Sequence, residues 1–272
     1  FGLIFGYFYS RNLWFVIDRV KGEITLPLFI FLLTLGLINP IWNINGIRMW
    51  TAAQIFVFGA LPYLVDGDKK KLIWAGVSIL MHFSFIFPVC ILLAFLVIRD
   101  RTNIFMILFI LTSFIKELDL EMVRSSLSFL PDIFQHRINS YTGADYAELV
   151  GSRSESYNWY KAYSLKVLAW VSYALVIFVY FFCRKKLQSN KSLVTLFSYS
   201  LLLYGCANVF SLVPSGGRFL VVATIFLFSF FVLFFSEMDK VKAFRFISVL
   251  SVPLLLLFCV VAIRTGMDYY GL

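Results

Sequence analysis

The chain has 272 residues, of which 61% are hydrophobic, 19% aromatic and only 14% charged. A soluble domain of this length is about 45–50% apolar and about a quarter charged. The excess is concentrated in long runs, such as Leu26–Ile38, Leu193–Leu203 and Phe219–Phe235. A soluble interior has too little volume for 32 phenylalanines, so the composition excludes a soluble globular protein. It predicts an all-α, polytopic transmembrane helical bundle.

About 20 apolar residues are needed to cross about 30 Å of hydrocarbon. On that measure the chain begins within a span that ends near Ser10, so we expect further spans to precede Phe1 in the complete protein. The other spans are predicted over 25–45, 50–65, 103–118, 162–182, 193–213, 218–236 and 246–263. We assign them all to one transmembrane domain over 1–272.

The apolar stretch Leu72–Ile98 is too long for one ordinary span and too short for two. If it crosses once, the short loops carry Lys and Arg about equally on both faces. If it enters and returns as a short helical hairpin with its tip near His82, one face collects most of the 24 basic residues. The positive-inside rule therefore favours the hairpin and makes that face cytoplasmic. The net charge of +9 then reports topology and does not indicate nucleic-acid binding.

The hairpin leaves one long segment, 119–161, on the outer face. Loops of this length inside a compact protein are usually functional. Its first half has apolar residues at helical spacing, which predicts an amphipathic interfacial helix, and its second half is rich in tyrosine. A tyrosine-rich stretch of this kind is also typical of an aromatic belt at the membrane interface.

Arginines occupy two short outer turns. Arg48 lies in a turn that leads directly into a span, and Arg218 follows Gly216 and Gly217 in a second such turn. Two glycines permit close approach of the backbone, and free N–H groups at the start of the next helix favour an anion. Taken singly, an arginine at a helix end is often only an anchor at the membrane interface.

His82, at the predicted hairpin tip and followed by Ser84, shares their face and depth. A single histidine in a membrane is as often a packed core residue as a catalyst, and polar groups at this depth are costly. Together, two arginines and a histidine beside a long outer loop suit a phosphorylated lipid, because guanidinium groups bind pyrophosphate bidentately. The sequence has no motif for a nucleotide, a metal ion or another cofactor, and none is predicted.

Three short motifs resemble the EpsG-like branch of the Wzy-type polysaccharide polymerases. They are Asn45–Ala53 entering a span, His82-Phe83-Ser84 after a lysine-rich turn, and Gly217-Arg218-Phe219 opening a late span. The resemblance implies a GT-C-like fold in the bacterial inner membrane, with the 119–161 loop periplasmic or extracellular. It also implies a metal-independent glycosyltransferase that joins undecaprenyl-pyrophosphate-linked oligosaccharides into O-antigen, capsule or exopolysaccharide.

Carried onto this sequence, the resemblance makes Arg48 and Arg218 pyrophosphate ligands and His82 the base or the residue that positions the acceptor. Substrate contacts are assigned to Asn45, Trp50, Ser84, Arg124, Arg137, Tyr141, Arg153, Ser215 and Gly217. The expected partners are the lipid-linked glycan and the bilayer, together with a chain-length regulator and a flippase.

Three alternatives are left open by the sequence. A flippase or another transporter would be expected to show repeat symmetry between its halves, and we find none. An O-antigen ligase needs the same arginines and base as a polymerase, so the residues separate the two poorly. A non-catalytic membrane scaffold is opposed only by the clustering of the outer arginines.

Overall fold

The computed structural model describes residues 1–42, 46–116, 135, 159–237 and 242–270, and these contain helices and turns but no strand. The helices are α1 (Gly2–Ile17), α2 (Leu26–Ile38), α3 (Ile47–Asp66), α4 (Leu72–Met81), α5 (Ile86–Ile98), α6 (Thr102–Ser113), α7 (Trp159–Phe182), α8 (Arg184–Gln188), α9 (Lys191–Phe210), α10 (Arg218–Ser236) and α11 (Lys242–Tyr270).

Four helices within the described ranges are long and apolar enough to cross a membrane: α7, α9, α10 and the Phe246–Asp268 part of α11. This confirms the predicted class, an all-α polytopic membrane protein. Two elements are shorter than the spans predicted for them, since α2 ends at Ile38 and α6 at Ser113. The end of α2 has a local cause, because Asn39 precedes Pro40 and is therefore disfavoured in the helical region.

Helix α10 is the centre of the bundle. In its most apolar stretch 89% of the residues are buried, against 28% in that of α11. Its phenylalanines interlock with rings from three other helices: Phe226 contacts Phe56 of α3 and Tyr199 of α9, and Phe231 contacts Phe31 of α2. Lipid is as apolar as the side chains, so this packing stabilises the bundle through dispersion and ring geometry more than through the hydrophobic effect.

Ion pairs tie one end of the bundle. Arg19 Nη2 lies 2.6 Å from Asp66 Oδ2, and Lys21 Nζ lies 2.7 Å from Glu237 Oε1. Asn190 donates to the same carboxylate of Glu237 over 3.0 Å. The C-terminal ends of α1, α3 and α10 therefore meet the start of α9 at this end, which we call the basic end. Helices α3 and α10 begin, and α9 ends, at the opposite end, which we call the site end.

The predicted hairpin is present, and its break lies at His82. Helix α4 follows a single turn of 3₁₀ helix at Lys69–Lys71 and packs back along α3. His82 has an extended backbone (φ −152°, ψ 116°), which ends α4, and a second 3₁₀ turn over Phe83–Phe85 leads into α5. The break divides a stretch that could otherwise have formed one continuous helix.

Helix α5 returns toward the basic end. At its start the Phe87 ring centroid lies 3.5 Å from that of Phe210 and 5.0 Å from that of Phe219, both at the site end. Two turns later Phe95 contacts Tyr199 in the middle of α9, with 5.4 Å between ring centroids. The two arms thus run in opposite directions, and the tip of the hairpin faces the site end.

Helices α3 and α4 approach each other at backbone distance. A Cβ atom at Gly59 would lie 2.3 Å from the Ala75 nitrogen and 2.9 Å from the Lys71 oxygen. Small residues allow this close approach between helices in lipid, where dispersion is the main attraction. Gly59 therefore determines how closely α4 docks, and through α4 it positions His82.

We expect Gly59→Ala to destabilise the protein by about 1–3 kcal/mol, because the added methyl group must displace the backbone of α4. Thermal unfolding of the purified protein in detergent measures this. Gly76→Ala is the control, since Gly76 lies exposed on α4 with no atom within 4 Å of the added Cβ. Alanine favours helix, so Gly76→Ala should be neutral or slightly stabilising. Equal melting temperatures for the two variants would contradict the contact.

Candidate functional site

The structure brings the first turns of α3 and α10 together through Arg218. Its guanidinium Nη1 lies 3.6 Å from Met49 Sδ, the residue after Arg48 in α3. The same nitrogen would lie 3.9 Å from a Cβ atom at Gly46. Arg48 and Arg218 are both exposed, so the guanidinium groups of two neighbouring helix starts are open to a ligand.

The start of α3 depends on the backbone of Gly46. Its φ of 82° is left-handed, a conformation that glycine adopts without the steric cost of a Cβ atom. Trp50, predicted as a substrate contact, is 7% exposed and packs in the core beneath this turn. Its indole therefore packs against the core side of the first turn of α3. Asn45, the neighbouring predicted contact, lies outside the described residues.

The turn before α10 is held by Gly216. A Cβ atom there would lie 1.8 Å from the carbonyl oxygen of Phe210, whereas one at Gly217 meets nothing within 4 Å. Close backbone approach therefore requires one of the two glycines and not the other. Ser215 adds strain, because its φ of 66° is left-handed and uncommon for a residue with a side chain. Strained residues of this kind cluster at ligand sites.

The N–H groups at the start of α10 are not open to an anion as the sequence suggested. The Phe219 and Leu220 nitrogens donate to the carbonyls of Gly216 and Gly217, at 2.9 and 3.2 Å. In this tight turn the carbonyl groups of the turn itself accept the hydrogen bonds of these donors. The N–H groups of Phe219 and Leu220 are therefore already used within the turn, whereas the side chain of Arg218 is exposed.

His82 and Ser84 lie at the same end as Arg218. Their side chains are joined by a hydrogen bond of 2.6 Å between Nδ1 and Oγ. Phe85, directly after them, is fully buried and packs on Phe219, the residue that follows Arg218, with 6.2 Å between ring centroids. The aromatic contact fixes the half-buried tip of the hairpin next to the start of α10. His82 is thus oriented by Ser84, three residues before the ring that packs on Phe219.

A cavity lined in part by neutral polar groups lies inside the bundle, between α1, α2, α3 and α10. Its polar lining is Tyr9, Asn12, Asn39, Gln54 and Ser229, and its apolar lining includes Leu35, Val57, Leu61 and Ile225. Gln54 and Val57 follow Trp50 at helical spacing, so one face of α3 leads from the site into the cavity. Ile225 and Ser229 follow Arg218 in the same way on α10.

The sequence reasoning missed the amides of this cavity. Asn12 Nδ2 donates to both the backbone oxygen and Oε1 of Gln54, each over 2.8 Å, and both residues are buried. Tyr9 Oη donates to the Gly36 carbonyl over 2.8 Å. These bonds join α1 to α3 and α2, as polar contacts between membrane helices commonly do. The sequence signal for this contact is an uncharged amide inside each of two apolar helices, which is less conspicuous than a charged group.

The remaining predicted site residues, Arg124, Arg137, Tyr141 and Arg153, lie outside the described residues. So do the expected amphipathic helix and nearly all of the 119–161 segment. Their assignment to the substrate stays a prediction.

The helices define a polytopic, all-α membrane protein. The chain matches the model of the EpsG family over residues 2–270. Because the match covers nearly the whole chain, this protein belongs to the EpsG family. Membership confirms the family inferred from the motifs and indicates a polysaccharide polymerase-type membrane protein. No curated protein and no solved structure matches the chain.

We expect Gly216→Ala to lower the melting temperature and to abolish polysaccharide production, because the methyl group collides with the end of α9 and displaces Arg218. Gly217→Ala is the matched control for the fold and should leave the melting temperature unchanged, since no atom lies within 4 Å of its Cβ position. Thermal unfolding in detergent, and complementation of a deletion strain, measure the two effects. A stable and active Gly216→Ala variant would show that the turn is not packed as described.

Asn12→Leu should destabilise the protein by about 1 kcal/mol, because it leaves the Gln54 amide buried without its donor. The double variant Asn12→Leu/Gln54→Leu removes both groups and should recover part of that loss. Thermal unfolding of wild type, both single variants and the double variant forms a double-mutant cycle. Strictly additive effects would show that the two amides are not coupled.

Proposed function

We propose that this protein is a membrane-embedded glycosyltransferase that polymerises undecaprenyl-pyrophosphate-linked oligosaccharide repeat units into a surface polysaccharide. It would act in the bacterial inner membrane, with the site end on the periplasmic or extracellular side. The observation that supports the proposal is the contact of the Arg218 guanidinium with Met49 in the first turn of α3, the residue after Arg48. Membership of the EpsG family supports the reaction class.

The reaction transfers the growing glycan from its lipid pyrophosphate to a hydroxyl of the next lipid-linked unit. The acceptor oxygen forms a bond to the anomeric carbon, and the bond from that carbon to the pyrophosphate oxygen breaks. The electron pair leaves with undecaprenyl pyrophosphate, whose negative charge rises as the bond breaks. Arg48 and Arg218 would offset this charge, and in doing so they would do the work that a metal ion does in other transferases.

His82 would accept the proton that the acceptor hydroxyl loses. The hydrogen bond between its Nδ1 and Ser84 Oγ suits this role when Nδ1 carries the hydrogen and donates it, because Nε2 is then the accepting nitrogen. Ser84 would thus select the tautomer and fix the ring. The segment 119–161, with Arg124, Arg137, Tyr141 and Arg153, would cover the sugars.

We expect Arg48→Ala and Arg218→Ala each to lower the polymerisation rate about 100-fold or more, because each removes stabilisation of the leaving group. His82→Ala should lower it by a similar factor through loss of the base. The measurement uses purified protein in lipid with synthetic undecaprenyl-pyrophosphate-linked repeat units. Arg264→Ala is the control, since Arg264 is an equally exposed arginine that contacts only the Tyr160 ring among the interactions described for it.

Wild-type rates in the three site variants would overturn the assignment of the residues. The reaction itself is tested by the glycolipids that accumulate when the same variants replace the wild-type protein in cells. Single repeat units on the lipid indicate a lost polymerase. Whole polymer on the lipid would indicate a ligase, and units trapped on the inner leaflet a flippase.

A further inference from the structure

Two cations at the basic end are in ion pairs, Arg19 with Asp66 and Lys21 with Glu237. A second group of cations lies on the turn between α5 and α6, the short helix α8 and the start of α9. This group has six cations, which we call the basic corner: Arg99, Arg101, Arg184, Lys185, Lys186 and Lys191.

Among the described residues, no carboxylate lies within 4 Å of the six cationic groups of the basic corner. Asp100, in the middle of the α5–α6 turn, accepts a hydrogen bond from Thr195 over 3.1 Å. With this one carboxylate, the corner keeps a clear excess of positive charge. The positive-inside rule explains why cations lie at this end.

Arg184 is held in place at the centre of the corner. Its Nη2 donates to Asn103 Oδ1 over 3.2 Å, and Tyr180 Oη donates to the same oxygen over 2.9 Å. The guanidinium also lies 5.5 Å from the centroid of the Tyr180 ring. The backbone of Arg99 is strained, with φ at 59° in a residue that has a side chain. Ordered cations on a strained turn are typical of a prepared site.

Exposed apolar side chains adjoin the cations along the chain. Phe181 and Phe182 precede Arg184 and are 62% and 76% exposed, and Val97 precedes Arg99 and is 83% exposed. An apolar wall that ends in a row of cations matches a phospholipid, which carries acyl chains below a charged headgroup. A soluble acidic protein or a nucleic acid has no acyl chains to cover these exposed apolar side chains.

We propose that the basic corner is a binding site for an anionic phospholipid of the cytoplasmic leaflet. The headgroup phosphate lies against Arg184 and the neighbouring cations, and the acyl chains pack along the exposed faces of α5 and α7. This site is at the opposite end of the bundle from Arg218. It is therefore distinct from the proposed transferase site and does not depend on the transferase proposal.

The test is native mass spectrometry of the full chain, purified in a neutral detergent and titrated with phosphatidylglycerol or phosphatidylcholine. We expect wild type to bind phosphatidylglycerol at least tenfold more tightly than phosphatidylcholine. Arg184→Gln/Lys185→Gln should weaken phosphatidylglycerol binding about tenfold or more, since each cation near the surface contributes a factor of about five.

Lys69→Gln/Lys70→Gln is the matched control, because it removes the same charge from exposed residues of the α3–α4 turn, also in the cytoplasmic loops of the predicted topology. It should change the affinity less than twofold. An equal loss in both double variants, or no loss in either, overturns the site. So does equal affinity for the two lipids.

Arg184→Lys keeps the charge and tests the site even if the double variant does not fold. We expect it to weaken phosphatidylglycerol binding several-fold, because an ammonium cannot bond Asn103 and a phosphate through one planar fork. An unchanged affinity would overturn the role of Arg184. The melting temperature without added lipid, compared across the variants, separates loss of the site from loss of the fold.

Discussion

A helix in lipid must satisfy its own backbone, and this constraint governs where the protein can place chemistry. Charged and titratable groups are tolerated only at helix ends, at breaks, and where other polar groups meet them. Arg48 follows the first residue of α3, Arg218 begins α10 and His82 ends α4. Each of these residues thus lies where a helix begins or ends. All three helix ends are at the site end of the bundle.

The same constraint makes glycine the decisive residue of the packing. With little hydrophobic driving force between helices in lipid, attraction depends on how closely backbones approach. Gly59 lets α4 rest on α3, and Gly216 lets the turn before α10 fold against the end of α9. Around these contacts the phenylalanines of α10 interlock with α2, α3 and α9. The order of the site end therefore depends on two close contacts made by glycines.

Several features could be predicted because they depend on local sequence. Apolar runs long enough to span the bilayer predicted the helices. The excess of cations favoured a hairpin over a single crossing, and the break was expected at His82, where it lies. Arg48 and Arg218 were singled out because a charge at a helix start is visible without a partner. The three motifs were sufficient to identify the EpsG family, because they keep their order and spacing along the chain.

Other features depend on neighbours that are distant in sequence. The bond between Asn12 and Gln54 spans two helices, and nothing in either helix alone distinguishes a paired amide from an exposed one. Only the contact with Phe210 shows that Gly216, and not Gly217, is the required glycine. Tertiary packing also buries Trp50. It shapes the turn whose carbonyls accept hydrogen bonds from the first N–H groups of α10.

By itself, then, the sequence determined the solvent of this protein, its helices, its family and the identity of its exposed cations, because hydropathy and charge are properties of single residues and short runs. The tertiary structure alone decided which of those residues meet. It joined Arg218 to the start of α3, packed Phe85 of the hairpin tip against α10, and determined which cations at the basic end are in ion pairs. Such contacts depend on distances between helices, and those distances are set by side-chain packing across the whole bundle.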